Sequence, residues 1–135
     1  MIYLDTDVLI HFLVPQDISK YSVAKDIFDK VISSGKLKVS FLTMQETAYV
    51  LNRLGLEKQD IESILTTFLS LVPLNYEASE MRRAITLCKH LGFQHINDCL
   101  HTAIAERHCD ELYTFNKADF KRIARLSKLK VVVLE

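Results

Sequence analysis

Oxygen-bearing side chains in this chain fall where short apolar runs give way to helical patterns. Asp5 directly follows Ile2-Tyr3-Leu4, and Glu46 lies just past Lys38-Val39-Ser40-Phe41. Asp98 sits at the start of a helical segment that opens at Asn97, while Asn116 and Asp119 follow Leu112-Tyr113-Thr114. A set of hard oxygen ligands selects Mg²⁺ or Mn²⁺ over softer metals. Such an ion lowers the pKa of a bound water and clamps a phosphodiester for in-line attack. Carboxylates gathered without an ion repel one another, a further reason to expect a metal and a metal-dependent enzyme.

Each of these residues also has a helix-capping reading. Thr43-Met44-Gln45-Glu46 matches a capping box, in which Glu46 bonds back to an orphan amide. Asp5 could cap a helix beginning near Thr6-Asp7, and Asp98 near a helix N-terminus is favoured by the helix dipole. Asp119 lies three residues beyond Asn116, again a capping spacing. What favours a site is convergence. In open α/β sheets ligands bind beyond the carboxyl ends of the strands, and four separate segments deliver oxygen to that edge.

The elements that must do the positioning follow from apolar spacing. Ile2-Tyr3-Leu4 reads as a strand buried on both faces. Val8 to Val14 is apolar on nearly every side, broken only by His11, and reads as a helix with surface to spare for a partner chain. Tyr21, Ala24, Ile27, Phe28, Val31 and Ile32 recur at helical spacing, and Gly35 marks the helix end. Lys38 to Phe41 reads as a strand and Thr43 to Asn52 as a helix. Ile61, Ile64, Leu65, Phe68 and Leu69 form another amphipathic stripe, and Leu71-Val72-Pro73-Leu74 an edge strand. Met81, Ala84, Ile85 and Cys88 mark a helix closed near Gly92, and Asn97 to His108 the next one. Leu112-Tyr113-Thr114 and Val131-Val132-Val133-Leu134 are the last strands. Strands separated by helices throughout mean an α/β fold around a mainly parallel sheet, as one domain over residues 1–135.

Composition narrows the class further. The 135 residues are 49% hydrophobic, too rich for disorder, and carry zero formal net charge. Any nucleic-acid contact must therefore come from a local patch and not from a global basic field. Three cysteines with no CxxC spacing argue against a disulfide framework and fit a reducing compartment. No apolar stretch is long enough for a membrane span, and Asp5 interrupts the first apolar run, so a soluble cytoplasmic protein without a signal peptide is expected.

Other constellations are weaker. Cys88, His90, His95, Cys99, His101, His108 and Cys109 crowd one region, but their spacings match no zinc finger or ribbon. Cys88 and Cys99 read as small buried hydrophobes; His95 and His101 could approach the acids or RNA, but read first as surface histidines. Lys117, Lys121, Arg122, Arg125, Lys128 and Lys130 make the C-terminal region basic, either a solvated face or a track for an RNA backbone. Lys117, beside Asn116, is the best candidate for a phosphate contact. No Gly-rich phosphate loop or nucleophile elbow is present.

Four segments together resemble the motifs of PIN-domain ribonucleases, in family order. They are Leu4-Asp5-Thr6-Asp7-Val8-Leu9-Ile10, Thr43-Met44-Gln45-Glu46, Asn97-Asp98-Cys99-Leu100-His101-Thr102-Ala103, and Leu112 to Phe120. The resemblance spans essentially the whole chain, whose length is similar to that of VapC-type toxins of toxin–antitoxin pairs. It implies a PIN-like three-layer fold and a Mg²⁺- or Mn²⁺-dependent endoribonuclease with a cognate antitoxin and a homodimeric state. Asp5, Glu46 and Asp98 would be the metal ligands, Thr6 a nearby hydroxyl, Asn116 an orienting group, and Asp119 a further contact through water. One departure stands out: the family often has aspartate where this chain has Asn116, which brings no charge. A non-catalytic PIN-like scaffold that binds protein or RNA, or a PIN nuclease outside any toxin–antitoxin pair, are the alternatives.

Overall fold

The computed structural model describes residues 1–135. Its four strands are β1 (Ile2–Leu4), β2 (Leu37–Lys38), β3 (Glu111–Thr114) and β4 (Lys130–Val133). They form one sheet in the order β2-β1-β3-β4, parallel at every pairing. Parallel neighbours need crossover connections, and helices supply them. The helices are α1 (Thr6–Leu13), α2 (Ile18–Ser33), α3 (Phe41–Arg53), α4 (Lys58–Leu69), α5 (Ala78–Leu91), α6 (Ile96–His108) and α7 (Lys117–Ala124), with a 3-10 turn at Phe93–His95.

Strand alternation distributes the core into two halves. Ile2, Leu4 and Tyr113 point to one face and pack with Val8, Leu9, Ala24, Val31 and Phe68. Tyr3 and Leu112 point to the other and pack with Leu87, Cys88, Cys99, Ile104 and Phe120. The result is helix, sheet, helix: the expected three-layer α/β architecture. β1 is buried along its whole length, as its unbroken apolar run predicts.

Three expectations are corrected. The strand expected over Lys38 to Phe41 stops at Lys38, because Ser40 turns the chain into α3. The Ser40 hydroxyl accepts the Thr43 amide at 3.1 Å, and the Thr43 hydroxyl accepts the Ser40 amide at 3.4 Å. The capping box thus lies three residues earlier than the Thr43–Glu46 pairing, and Glu46 is released from capping. The edge strand expected over Leu71 to Leu74 is a single parallel bridge between Ser40 and Leu74. Val72 takes φ 53°, which breaks the extended run, and Pro73 has no N–H to donate. Finally, the apolar stretch from Val8 is consumed by the fold at its start only, and Ile10 to Val14 stay half-buried. Val8 and Leu9 are buried, and Phe12 stacks on Phe28 at 4.2 Å between ring centres. No helix is long and apolar enough to cross a membrane.

Candidate active site

A cleft of about 660 Å³ opens at the carboxyl ends of β1 and β3. Asp5, Thr6, Asp7, Glu46, Asn97, Asp98 and Asn116 line its polar side; Ile10, His11, Leu42, Tyr49 and Val50 line the rest, with Gln45. The sequence-predicted residues Asp5, Thr6, Glu46, Asp98 and Asn116 are therefore brought together. Four different segments deliver them: the β1–α1 junction, the N-terminal halves of α3 and α6, and the β3–α7 junction.

Asp5 is both a helix cap and a wall of the cleft. One oxygen accepts the Thr6 amide at 2.8 Å, and the other accepts the Thr114 hydroxyl at 2.8 Å. Burial dominates these bonds and pushes its pKa above the usual carboxylate range. Asp7, half a turn on, accepts the Phe115 amide at 3.1 Å, yet burial and then the Asp5 charge push its pKa up to about 7. Asp98 behaves alike: burial first, then the Asp5 charge, lifts it to about 7.

Glu46 is treated differently. Its side chain accepts the Thr6 hydroxyl at 2.6 Å and the Asn97 amide at 3.1 Å, and it lies 2.5 Å from His101 Nε2. Burial alone would raise its pKa, but these donors, His101 foremost, hold it below the usual value. His101 is 1% exposed, and its Nδ1 lies 2.6 Å from the Tyr3 hydroxyl. Tyr3 in turn reaches Ser40 Oγ at 2.7 Å and Thr43 Oγ1 at 3.1 Å. Burial disfavours the charged imidazole, yet Tyr3, Glu46 and Asp5 around it hold its pKa well above the ordinary value. A charged ring donates from Nε2 to Glu46 and from Nδ1 to Tyr3, which donates onward to Ser40 or Thr43. His101 is thus not the surface histidine expected from sequence. α6 is buried from Cys99 through Ala105, and the ring's polar atoms are satisfied inside.

The fourth corner resolves into two roles. Asn116 caps α7, its carbonyl accepting the Asp119 amide at 3.2 Å while its amide donates to Asp119 Oδ2 at 2.9 Å. Asp119 Oδ1 lies 3.8 Å from His95 Nδ1. Ligand atoms of His95, Asp98 and Asp119 all fall within 4.8 Å of one another, so this trio could hold a metal ion. Lys117 opens α7 with its ammonium 3.6 Å from Glu135 and does not line the cleft. Cys88 and Cys99 are buried, and burial followed by the Cys88 contact lifts the Cys99 thiol to about 12, as suits an apolar filler and not a zinc ligand.

Sequence reading missed Tyr3, Asp7, Asn97 and Thr114, and ranked the approach of His95 and His101 to the acids below a surface position. Part of the signal was present: Asn97, Asp98 and His101 are spaced to share one face of α6. The donor set fits a hard divalent cation, because carboxylates with raised pKa values line the cleft and the buried His101 ring is committed to Glu46.

No curated protein matches the chain. Among solved structures, a chain from the crystal structure of VapBC2 from Rickettsia felis, bound to a DNA fragment from its promoter, superposes with a TM-score of 0.72. The two are 22% identical and each is covered over 100% of its length, a likeness of fold. The PIN-domain family model matches residues 2–126, and the chain belongs to the PIN-domain family.

Proposed function

We propose that this protein is a Mg²⁺- or Mn²⁺-dependent endoribonuclease, the VapC-type toxin of a toxin–antitoxin pair, acting as a single PIN-like domain over residues 1–135. The observation that carries this reading is the charge imbalance of the cleft. Asp5, Asp7 and Asp98 are crowded and raised in pKa, and Glu46 is held ionised beside them. Asp5, Glu46 and Asp98 would hold the metal, with Thr6 fixing one Glu46 oxygen. When bound, the cation neutralises the phosphodiester and acidifies its attacking water. The protein's own work is to orient Glu46 through His101, Thr6 and Asn97, and to fix Asp5 through Thr114. Asn116 shapes the rim and positions Asp119, which would reach the metal through water. Lys117 supplies a phosphate contact once it exchanges its exposed Glu135 partner for RNA.

The family membership and the likeness to a VapBC2 chain support the toxin–antitoxin setting. A second apolar cleft, lined by Phe12, Leu13, Phe28, Ile64 and Phe68, supports docking of an antitoxin helix there. A homodimer and a cytoplasmic location complete the reading. A non-catalytic scaffold is favoured by one observation only, the neutral Asn116 committed to capping.

The test is cleavage of total RNA by the purified protein in Mn²⁺, with mapping of the new ends. Cleavage that EDTA and Asp5→Asn each abolish is expected. Full cleavage by a folded Asp5→Asn protein would sink the reading, and undetectable binding of millimolar Mn²⁺ would favour the scaffold.

A further inference from the structure

We infer that Tyr49 and Arg53 form a nucleobase-stacking subsite that receives a base flanking the cleaved phosphodiester. This rests on the nuclease reading and goes beyond it, since it assigns residues that play no part in holding metal. Glu46, Tyr49 and Arg53 follow one another at three- and four-residue intervals along α3. One helical face therefore runs from carboxylate to aromatic to guanidinium, about 5.4 Å per turn. Tyr49 and Val50 line the same cleft as Asp5, Glu46 and Asp98.

Tyr49 is 64% exposed, and it is the one strongly exposed large apolar side chain lining that cleft. Its ring is not packed into the core. Arg53 instead stands over it, the guanidinium carbon 5.8 Å from the ring centre. A phosphate needs the carboxylate-held cation, but not an aromatic wall. A nucleobase has a flat π-face that stacks on tyrosine regardless of its identity, and arginine adds a second stacking plane and a positive charge for the neighbouring phosphate. With zero formal net charge on the chain, such a cation must be supplied locally. A protein partner is the poorer occupant, because a specific interface buries on the order of 1,000 Å² or more and Tyr49 is a single ring beside acids.

The chain contains no tryptophan, so Tyr49→Trp installs a sole indole at the platform. In an Asp98→Asn background, to prevent cleavage, titration with single-stranded hexaadenylate is expected to quench its emission. An abasic hexamer of the same charge is expected to leave it unchanged. Tyr49→Ala is expected to weaken hexaadenylate binding about tenfold, Tyr49→Phe to restore it, and Mn²⁺ binding by Tyr49→Ala to match the native protein. Equal quenching by the abasic hexamer, or equal RNA affinity in Tyr49→Ala, overturns the proposal. So does a loss of dimer mass in Tyr49→Ala with RNA binding retained, which would assign the ring to a protein contact. Failure of the nuclease reading is seen separately, as absent RNA cleavage by the native protein, while the fluorescence titration still reports on stacking.

Discussion

Two regions of this molecule bury carboxylates, and the chain treats them in opposite ways. At the outer end of α5, Glu80 is 3% exposed, pairs with Arg107, and accepts the Glu77 amide at 2.7 Å and the Ser79 hydroxyl at 3.0 Å. Burial pushes its pKa up, but Arg107 and the amide donors win and bring it down to about 2. Next to it, Arg83 grips both oxygens of Glu106 at 2.9 and 3.0 Å. In the cleft, Asp7 and Asp98 rise to about 7 because burial, and then the Asp5 charge, outweigh the groups that favour ionisation. Where an acid serves the fold, the chain supplies a guanidinium. Where acids face the cleft, countercharge is left for a ligand to bring, and only Glu46 receives a cation of its own.

The largest effect that would break this contrast is on cleavage. Asp98→Asn should reduce RNA cleavage at least about a hundredfold, since outer-shell changes at metal sites already cost 10–100-fold. It should also raise metal-free stability by about 1 kcal/mol at pH 8, by removing a carboxylate that burial and Asp5 disfavour. Glu80→Gln should do the reverse, lowering stability by about 1–2 kcal/mol while cleavage persists. Paired nuclease assays and denaturant melts check both; a stability loss in Asp98→Asn larger than in Glu80→Gln would erase the distinction.

His101→Gln should weaken Mn²⁺ binding about tenfold, because Glu46 loses its strongest donor. Tyr3→Phe should do so to a smaller extent through the same ring, and calorimetric titration with Mn²⁺ reads both.

The two regions should also separate in pH. Asp7 and Asp98 have folded pKa values near 7, above the 3.8 of an unperturbed aspartate, so the folded protein holds more protons across that window. Metal-free stability from these groups therefore falls as pH rises from about 4 to 7. Saturating Mn²⁺ should reverse the slope, because the ion binds the ionised form. Glu80, depressed to about 2, contributes stability that is present above its unfolded value of 4.5 and lost as pH falls toward 2. Thermal melts over pH 2–8 with and without Mn²⁺ measure both slopes.

The smallest effect concerns the fourth corner. Asn116→Asp keeps an N-cap, so stability should change by less than about 0.5 kcal/mol. Mn²⁺ affinity should rise a few-fold from the added charge. A calorimetric titration showing no change would leave Asn116 as a cap alone.

Much of the fold was legible because apolar periodicity reports burial directly. The three-residue run Ile2-Tyr3-Leu4 has no wet face, so a central parallel strand follows, and the stripe from Tyr21 to Ile32 can only be a helix with one buried side. Boundaries at Ser40 and Leu71 to Leu74 were less legible. There, a cap hydroxyl and one positive-φ valine decide what the chain does, and neither leaves a period. The acids at strand ends were legible as a set, since strand order in a parallel sheet brings carboxyl ends to one edge.

Which acid does what was not legible. Glu46 and Asp98 carry the same charge at similar helix positions, yet one is held ionised by a buried imidazole and the other is left to crowd Asp5. Asn116 likewise both caps α7 and lines the cleft, bound to Asp119 through contacts of about 3 Å. Residue type and spacing settle which chemistry a chain can carry, because they are local properties of the backbone's period. Protonation, charge balance and partner choice depend on what lies within a few ångströms across distant segments, and only folding brings those segments together.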